Sequence, residues 1–438
     1  MSSVRRSLSR GAVSEHSLHG GDPSVLRRLN SAAILRALRE GGESTLTEVA
    51  NLVGLSRPTT EGVIGALAER GLVAEAAPRQ GTGLGRPARR YRFRAEAGYA
   101  LGIEIDAHRV RLMVADLAGE VVGGHRADLD VAGTPAERIT AVRAAVKACL
   151  ASTGIARHDL RAVAAGTPGV VSPDGTIAFC TVVPGWEGVN LARELARSFS
   201  CPVMVDNDAN LAALAERWRG AAREADDVIC VHAGLHTGIG ALIGGRLHRG
   251  RYGAAGEIGM LPELGLRDTT AGLITGSDVG PEAALAALAG IAAAGPALDD
   301  AERVLAVAGW GGAEAQAVVE RLAGRMSRGI AAMALALDPE VIVVGGPLIR
   351  AGDLLIAELR RQVRPLCLSP VRIEASELGD ESVGLGALRL ALDRVDEDLF
   401  RLDPRTEAGE VRRTGDARRT GDTRRAGEVR RARPSRSA

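Results

Sequence analysis

Aromatic side chains are almost missing from this chain: four Phe, three Tyr and three Trp among 438 residues. The core must therefore be built from Ala, Val, Leu and Ile, and a platform of stacked rings for single-stranded nucleic acid or RNA is excluded. Lysine is scarcer still. Lys147 is the only one, so Arg carries nearly all the positive charge. The five cysteines (Cys149, Cys180, Cys201, Cys230 and Cys367) are scattered, with no C-x-C or C-x-x-C spacing. That supports neither a disulfide framework nor a Cys-based zinc site, and predicts buried free thiols in a reducing cytosol. No uninterrupted apolar run is long enough to cross a bilayer; the Ala-rich stretch Ala283 to Ala294 is too short. The N-terminus has an early Arg pair and no apolar core run, which is not the pattern of a signal peptide. The expected location is the cytoplasm, with no membrane partner.

What is present is ordinary for a soluble protein, at 46% hydrophobic and 25% charged residues, with length for two or three domains. The net charge of +1 conceals an uneven distribution along the chain. Residues 1–23 are Ser-, Arg- and Gly-rich without periodicity, and are expected to be a disordered tail. From Ser24, Leu26, Leu29, Ala33, Ile34 and Leu38 recur at helical spacing up to Gly41-Gly42. A second short helix follows over Thr45 to Val53, capped by Ser44 or Thr45 and stopped by Gly54. Ser56 and Pro58 open a third helix that runs to Arg70.

Helix, tight Gly turn and polar third helix form a helix-turn-helix pattern. Leu72 to Glu75 and Ala88 to Phe93 read as two strands around a Gly- and Arg-rich loop, Pro78 to Pro87. That makes a winged helix over 24–96, expected to bind double-stranded operator DNA. The side chains singled out for DNA are Ser56, Arg57, Thr59, Thr60 and the wing arginines Arg79, Arg86 and Arg89, with Glu61 as a further candidate for base edges. The competing reading is a three-helix element that only docks onto the next domain.

From Tyr99 the pattern is α/β. Three antiparallel strands are expected over Ala100–Ile105, Val110–Asp116 and Glu120–Arg126, then a helix over Pro135–Ala151 and a strand over Ala162–Gly166. A buried-looking strand, Val203 to Val205, runs into Asp206-Asn207-Asp208-Ala209-Asn210. Another strand (Val228 to Val231), a polar turn (His236 to Gly240) and Gly253 to Met260 complete a set of carboxylates, amides and Gly-rich turns suited to a small polar ligand. Helices are expected over Ala283–Ala294, Ala301–Ala308 and Ala313–Leu337, with a buried strand at Val341 to Gly346. His232, His236 and His248 fit no metal-ligand spacing and read as solvent-facing or turn residues. Residues 401–438 hold the repeat AGEVRR, TGDARR, TGDTRR, AGEVRR, expected to be a disordered Arg-rich tail.

These features resemble the ROK family, named for repressors, open reading frames and kinases. The resemblance covers roughly Ala100 to Ala391, and the winged helix in front resembles its repressor branch. Gly166-Thr167-Pro168-Gly169-Val170 is similar to the family's G-x-P-G-P loop, and Pro184 to Leu191 to the sugar-side segment after it. Asp206 to Asn210 resembles its N-D-A-N element, Gly253 to Gly259 its G-x-x-G-E-I-G run, and Leu337 to Gly346 its adenosine-side segment. The resemblance implies a two-lobed, actin-like sugar-kinase fold over 97–400. It also implies ligand contacts from Gly169, Asn190, Asn207, Asp208 and Glu257, with Asp208 as the base that would accept a proton from a sugar hydroxyl.

The departures fall on the other half of a kinase site. Where the family has D-x-G-G-T, this chain reads Glu104-Ile105-Asp106-Ala107-His108, putting side chains and a negative charge where phosphate would sit. His236 stands where the family usually has Gly. The family's zinc-binding His is Met260, and its Cys-rich run is absent, so neither metal nor cofactor is expected. The expectation is a non-enzymatic regulator, a repressor, that senses a sugar or sugar derivative and binds DNA as a homodimer or tetramer. Lobe closure on the ligand would change the spacing of two winged helices, which must match half-sites about 34–36 Å apart or a multiple. The alternatives are a glucokinase-like, ATP-dependent sugar kinase with an attached DNA-binding module, and a ligand-independent DNA-binding dimer.

Overall fold

The computed structural model describes residues 23–76, 88–234, 237–267, 269 and 313–400. Arg79, Arg86, His236, both tails and the helices expected over 283–294 and 301–308 lie outside the described residues.

The winged helix forms as its cap residues dictate. α1 (Pro23–Gly41) leads through β1 (Ser44–Thr45) into α2 (Leu46–Val53). Thr45 and Glu48 form a reciprocal capping box, and Gly54 closes α2 in the left-handed conformation at φ 68°. α3 (Arg57–Glu69) starts on Ser56, whose hydroxyl accepts the Thr59 N–H at 3.3 Å. β2 (Val73–Glu75) and β3 (Arg90–Phe93) follow, and β3 pairs antiparallel with both β1 and β2.

The first lobe contains β4 (Tyr99–Ile105), β5 (Arg109–Asp116), β6 (Val121–Asp128), α4 (Pro135–Thr153), β7 (Leu160–Thr167), the hairpin β8 (Val170–Val171) and β9 (Ile177–Phe179), α5 (Leu191–Ala196) and β10 (Val203–Asn207). Its sheet order is β10-β7-β4-β5-β6, with β4, β5 and β6 antiparallel and β7 and β10 added in parallel. α6 (Asp208–Arg219) then leads to β11 (Val228–His232), β12 (Gly238–Ile243) and β13 (Arg246–Leu247). After the long α7 (Ala313–Leu337) come β14 (Val341–Gly345), α8 (Asp353–Val363), β15 (Ile373–Ala375) and α9 (Ser382–Phe400). The second sheet, β13-β12-β11-β14-β15, repeats the first strand for strand: an antiparallel triplet extended by two parallel strands. A duplicated sheet of this order is the two-lobed, actin-like architecture.

α9 was not anticipated, and it holds the molecule together. Its Leu385, Leu388, Ala391, Leu392 and Val395 share one apolar core with Ile34, Leu35 and Leu38 of α1, Ile64 and Leu67 of α3, and Leu211 and Ala215 of α6. Gly386 is what lets α9 lie on α6, since a Cβ there would sit 1.8 Å from the Leu211 carbonyl oxygen. The winged helix therefore has no core separate from the lobes. Among the described residues, no helix is long and apolar enough to cross a membrane.

Candidate functional site

The pocket residues gather where β10 ends and α6 begins. Asp206 is buried, and its Oδ1 accepts the Asn207 N–H and the Asn210 side-chain amide, both at 2.8 Å. Asn207 caps α6: its Oδ1 accepts the N–H groups of Ala209 and Asn210 at 2.8 and 3.2 Å. Its Nδ2 donates to the Gly169 carbonyl at 2.9 Å, which leaves one amide hydrogen for a ligand. Gly169 is at φ 100°, and a Cβ would lie 2.3 Å from the Phe179 carbonyl, so glycine there is a packing requirement.

Asp208 and Glu257 are both half-buried, and Asp208 is near enough for its charge to act on Glu257. Burial raises the Asp208 carboxyl; the His232 imidazole pulls it down and Asp106 pushes it up. Burial also raises Glu257, and the charge of Asp208 adds to it. Two carboxylates and an amide N–H of this kind can bind neutral hydroxyl groups, with carboxylates accepting and the amide donating. His232 is half-buried at the end of β11 with its Nδ1 unpartnered, so the solvent-facing reading fails for it. His248 is exposed, as expected. Asn190 is not free for a ligand: it caps α5 by accepting the Arg193 N–H at 2.8 Å and donates to Thr176 Oγ1 at 2.9 Å. This corrects its assignment, because the amide is consumed in joining the β8–β9 turn to α5.

The turn at Asp106-Ala107 is closed on itself. The Asp106 N–H donates to the Arg109 carbonyl at 2.9 Å, and the Ala107 N–H to the Asp106 carboxylate at 2.6 Å. From behind, the buried Arg138 of α4 donates to the carbonyls of Asp106, Ala107, Asp130 and Val131. Hairpin register sets Glu104 opposite Arg111, with 3.6 Å between their charged atoms. The Glu104 carboxyl is pushed up to about 7, chiefly by burial, while Arg111 pulls it down. In the second turn, the Thr237 N–H donates to the Leu266 carbonyl, and its hydroxyl bonds that of Thr269. Met260 is 49% exposed at the end of a 3-10 turn, and no group of three metal-ligating side chains occurs among the described residues. The residues present do not fit the family's zinc site.

On the winged helix, Arg57, Thr59 and Glu61 are exposed on α3, and Arg89 is exposed beside Glu75. Ser56 is exposed, but its hydroxyl is committed to Thr59. Thr60 corrects the expectation. It is 0% exposed and its Oγ1 donates to the Ser56 carbonyl at 3.0 Å, so it belongs to the core and cannot touch DNA. Its spacing to Val63, Ile64 and Leu67 was the available signal that it lies on the buried stripe. Arg138 and Arg249 were missed because a lone Arg in sequence looks like a solvated one.

The ROK family pattern matches residues 100–394, and that of the IclR helix-turn-helix domain matches residues 29–76. A xylose repressor of Caldicellulosiruptor bescii is 21% identical over 393 residues, covering 85% of this chain and 97% of that protein. A glucokinase of Halalkalibacterium halodurans is 30% identical over 292 residues, covering 62% of this chain and 87% of that protein. Among solved structures, a ROK family transcriptional regulator homologous to the E. coli MLC protein superposes with a TM-score of 0.64 at 18% identity, covering 86% of this chain and 98% of that one. That similarity shows the fold. A ROK family glucokinase from Streptomyces griseus, in complex with glucose and AMPPNP, gives a TM-score of 0.58 at 26% identity, covering 68% and 100%.

Proposed function

The chain belongs to the ROK family, and from that premise we propose that it is a transcriptional repressor that senses a sugar or sugar derivative through Asn207, Asp208 and Glu257. The observation that carries this reading is the unbroken connection from pocket to winged helix. α6 has Asp208 at its first turn and Trp218 at its last. Arg389 of α9 lies over the Trp218 ring at 5.4 Å and pairs with Asp396, which in turn holds Arg39 of α1. A ligand that moves the first turn of α6 thus acts on α1, and α1 packs on α3 in the same core. Arg57, Thr59 and Glu61 present α3 to operator DNA, and Arg89 with Arg79 and Arg86 supply phosphate contacts from the wing. A homodimer would read two half-sites. Such a repressor works in the cytoplasm, on the nucleoid.

The test is binding of the purified full chain to DNA from its own upstream region, across a salt series, without and with D-xylose or D-glucose. Salt-dependent, sequence-preferring binding that sugar changes is the expected result. Its absence would sink the proposal.

One observation favours catalysis: Asp208 is a half-buried carboxylate with a raised pKa, suited to a general base. Against it stands the turn at Asp106-Ala107, where the Asp106 and Ala107 N–H groups are spent internally and are not offered to a phosphate. A coupled ADP-release assay across hexoses separates the two readings; turnover abolished by Asp208→Asn would establish the kinase. A ligand-independent dimer is the outcome if no sugar raises the melting temperature and light scattering still gives a dimer.

A further inference from the structure

One carboxylate holds both halves of the pocket. Asp206 Oδ1 takes the Asn207 N–H and the Asn210 amide, which fixes the first turn of α6. Its Oδ2 takes the Arg249 Nε–H at 2.6 Å. Asp206 is the penultimate residue of β10 in the first lobe, whereas Arg249 follows β13 in the second. Arg249 is therefore an ionic tether between the lobes, and it sits at the root of the segment that carries Glu257. The Arg249 carbonyl accepts the Ala255 N–H at 3.2 Å, closing 249–255 into a compact loop, and Glu257 donates its N–H back to Ala254. Farther along, the loop backbone packs closely at two glycines. A Cβ on Gly253 would lie 1.9 Å from the Val171 carbonyl, and one on Gly256 2.0 Å from the Ile239 carbonyl.

From this geometry we propose that Arg249 is a positioning residue for sugar recognition: by pairing with Asp206 it holds the Glu257 loop of the second lobe against the Asn207–Asp208 turn of the first. Its guanidinium is partly exposed while the carboxylate it meets is 5% exposed, so the bond is charge-assisted and screened on one side. Removing the arginine leaves Asp206 Oδ2 without its cation. The α6 cap persists through Oδ1, and the loop is then free to move relative to that cap. The inference rests on the sugar-sensing reading of Asp208 and Glu257, and deepens it.

Arg249→Gln, Arg249→Lys and Glu257→Gln, alone and combined, would be compared in the full chain. Amide hydrogen exchange over 250–257 without sugar tests the tether independently of any ligand. Exchange at least tenfold faster in Arg249→Gln, with α6 unchanged and intermediate values in Arg249→Lys, is expected; unchanged exchange overturns the tether. Affinity for D-xylose and D-glucose, by calorimetry, tests positioning. Arg249→Gln should weaken binding about tenfold, Arg249→Lys should restore part of it, and adding Glu257→Gln should cost little more. Additive losses overturn the positioning role. If the unaltered chain binds neither sugar while the exchange result holds, the sugar-sensing reading falls, the positioning role falls with it, and the tether stands.

Discussion

Arg39 in α1 and Asp396 in α9 meet as a two-point ion pair, Nη1 to Oδ1 at 2.7 Å and Nη2 to Oδ2 at 3.0 Å, across 357 positions of sequence. Both side chains are largely shielded, and hydrogen bonding to Asp396 raises the Arg39 pKa. The fork fixes orientation as well as distance, so it can transmit a rotation of α9 to the winged helix.

Asp396→Asn keeps the shape and removes the charge. A partly shielded bidentate pair of this kind contributes about 1 kcal/mol, so the melting temperature should fall by a few degrees at most. The informative change is in coupling. DNA affinity without sugar should stay within about threefold, while the sugar-induced change should shrink by tenfold or more. Paired DNA titrations with and without D-xylose or D-glucose measure both; an undiminished sugar response would remove Asp396 from the signalling path.

Glu104 makes stability depend on pH in a defined direction. Its carboxyl sits at about 7, against an ordinary 4.5, because burial outweighs Arg111. A raised folded-state pKa means the folded chain holds the proton more tightly. The stability this gives is complete below about 4.5 and is lost as pH rises through about 7. The full effect is on the order of 3 kcal/mol. The melting temperature should therefore fall between pH 5 and 8. Glu104→Gln should flatten that slope and raise stability at pH 8, with Arg111 still bonded to Asp380. Asp208 and Glu257 shift the same way, so some slope will remain in the variant.

Thr60 and Arg57 separate core from interface. Thr60→Val removes a hydroxyl bonded to the Ser56 carbonyl and should cost about 1 kcal/mol of stability, with DNA affinity unchanged. Arg57→Ala touches only an exposed residue; it should leave melting unchanged and weaken DNA binding about tenfold, with a shallower salt dependence. Melting curves and anisotropy titrations read both. If Thr60→Val impaired binding at full stability, the assignment of α3 would be wrong.

Local chemistry was the legible part of this chain. Thr45, Ser56 and Gly54 mark α2 and α3 because capping is decided within four residues, and Asp206 to Asn210 stands out as a candidate site because a strand runs there straight into polar residues. α9 carried a signal, with Leu385, Leu388, Leu392 and Val395 at helical spacing, but interleaved Arg and Asp hid its importance. Two of those charged residues add to its apolar contacts, Asp396 by pairing with Arg39 of α1 and Arg389 by lying over Trp218 of α6. Asn190 and Thr60 were misassigned for a common reason. A polar side chain can be spent on the backbone a few residues away, and nothing in residue type distinguishes that from a ligand contact. Pairs such as Arg39–Asp396 and Asp206–Arg249 join residues far apart in sequence and exist only once the chain has folded.

Arg138 tests whether the turn at Asp106-Ala107 is a relic of a nucleotide site or a built feature. Its guanidinium donates to four carbonyls and is 2% exposed, so the turn's backbone dipoles point at a fixed cation inside the fold. Arg138→Leu would strand those carbonyls and should cost several kcal/mol, lowering the melting temperature by roughly 10 °C. Arg138→Lys should recover little, since one ammonium cannot reach both ends of a fork. Had the turn merely decayed from a nucleotide site, loosening it would expose N–H groups to phosphate and ATP would protect the variant. ATP should instead leave melting unchanged in both the original chain and Arg138→Leu, because the Asp106 side chain, which accepts the Ala107 N–H, already fills the turn. Thermal melting with and without ATP and magnesium distinguishes the two, and ATP protection of the variant would restore the kinase reading.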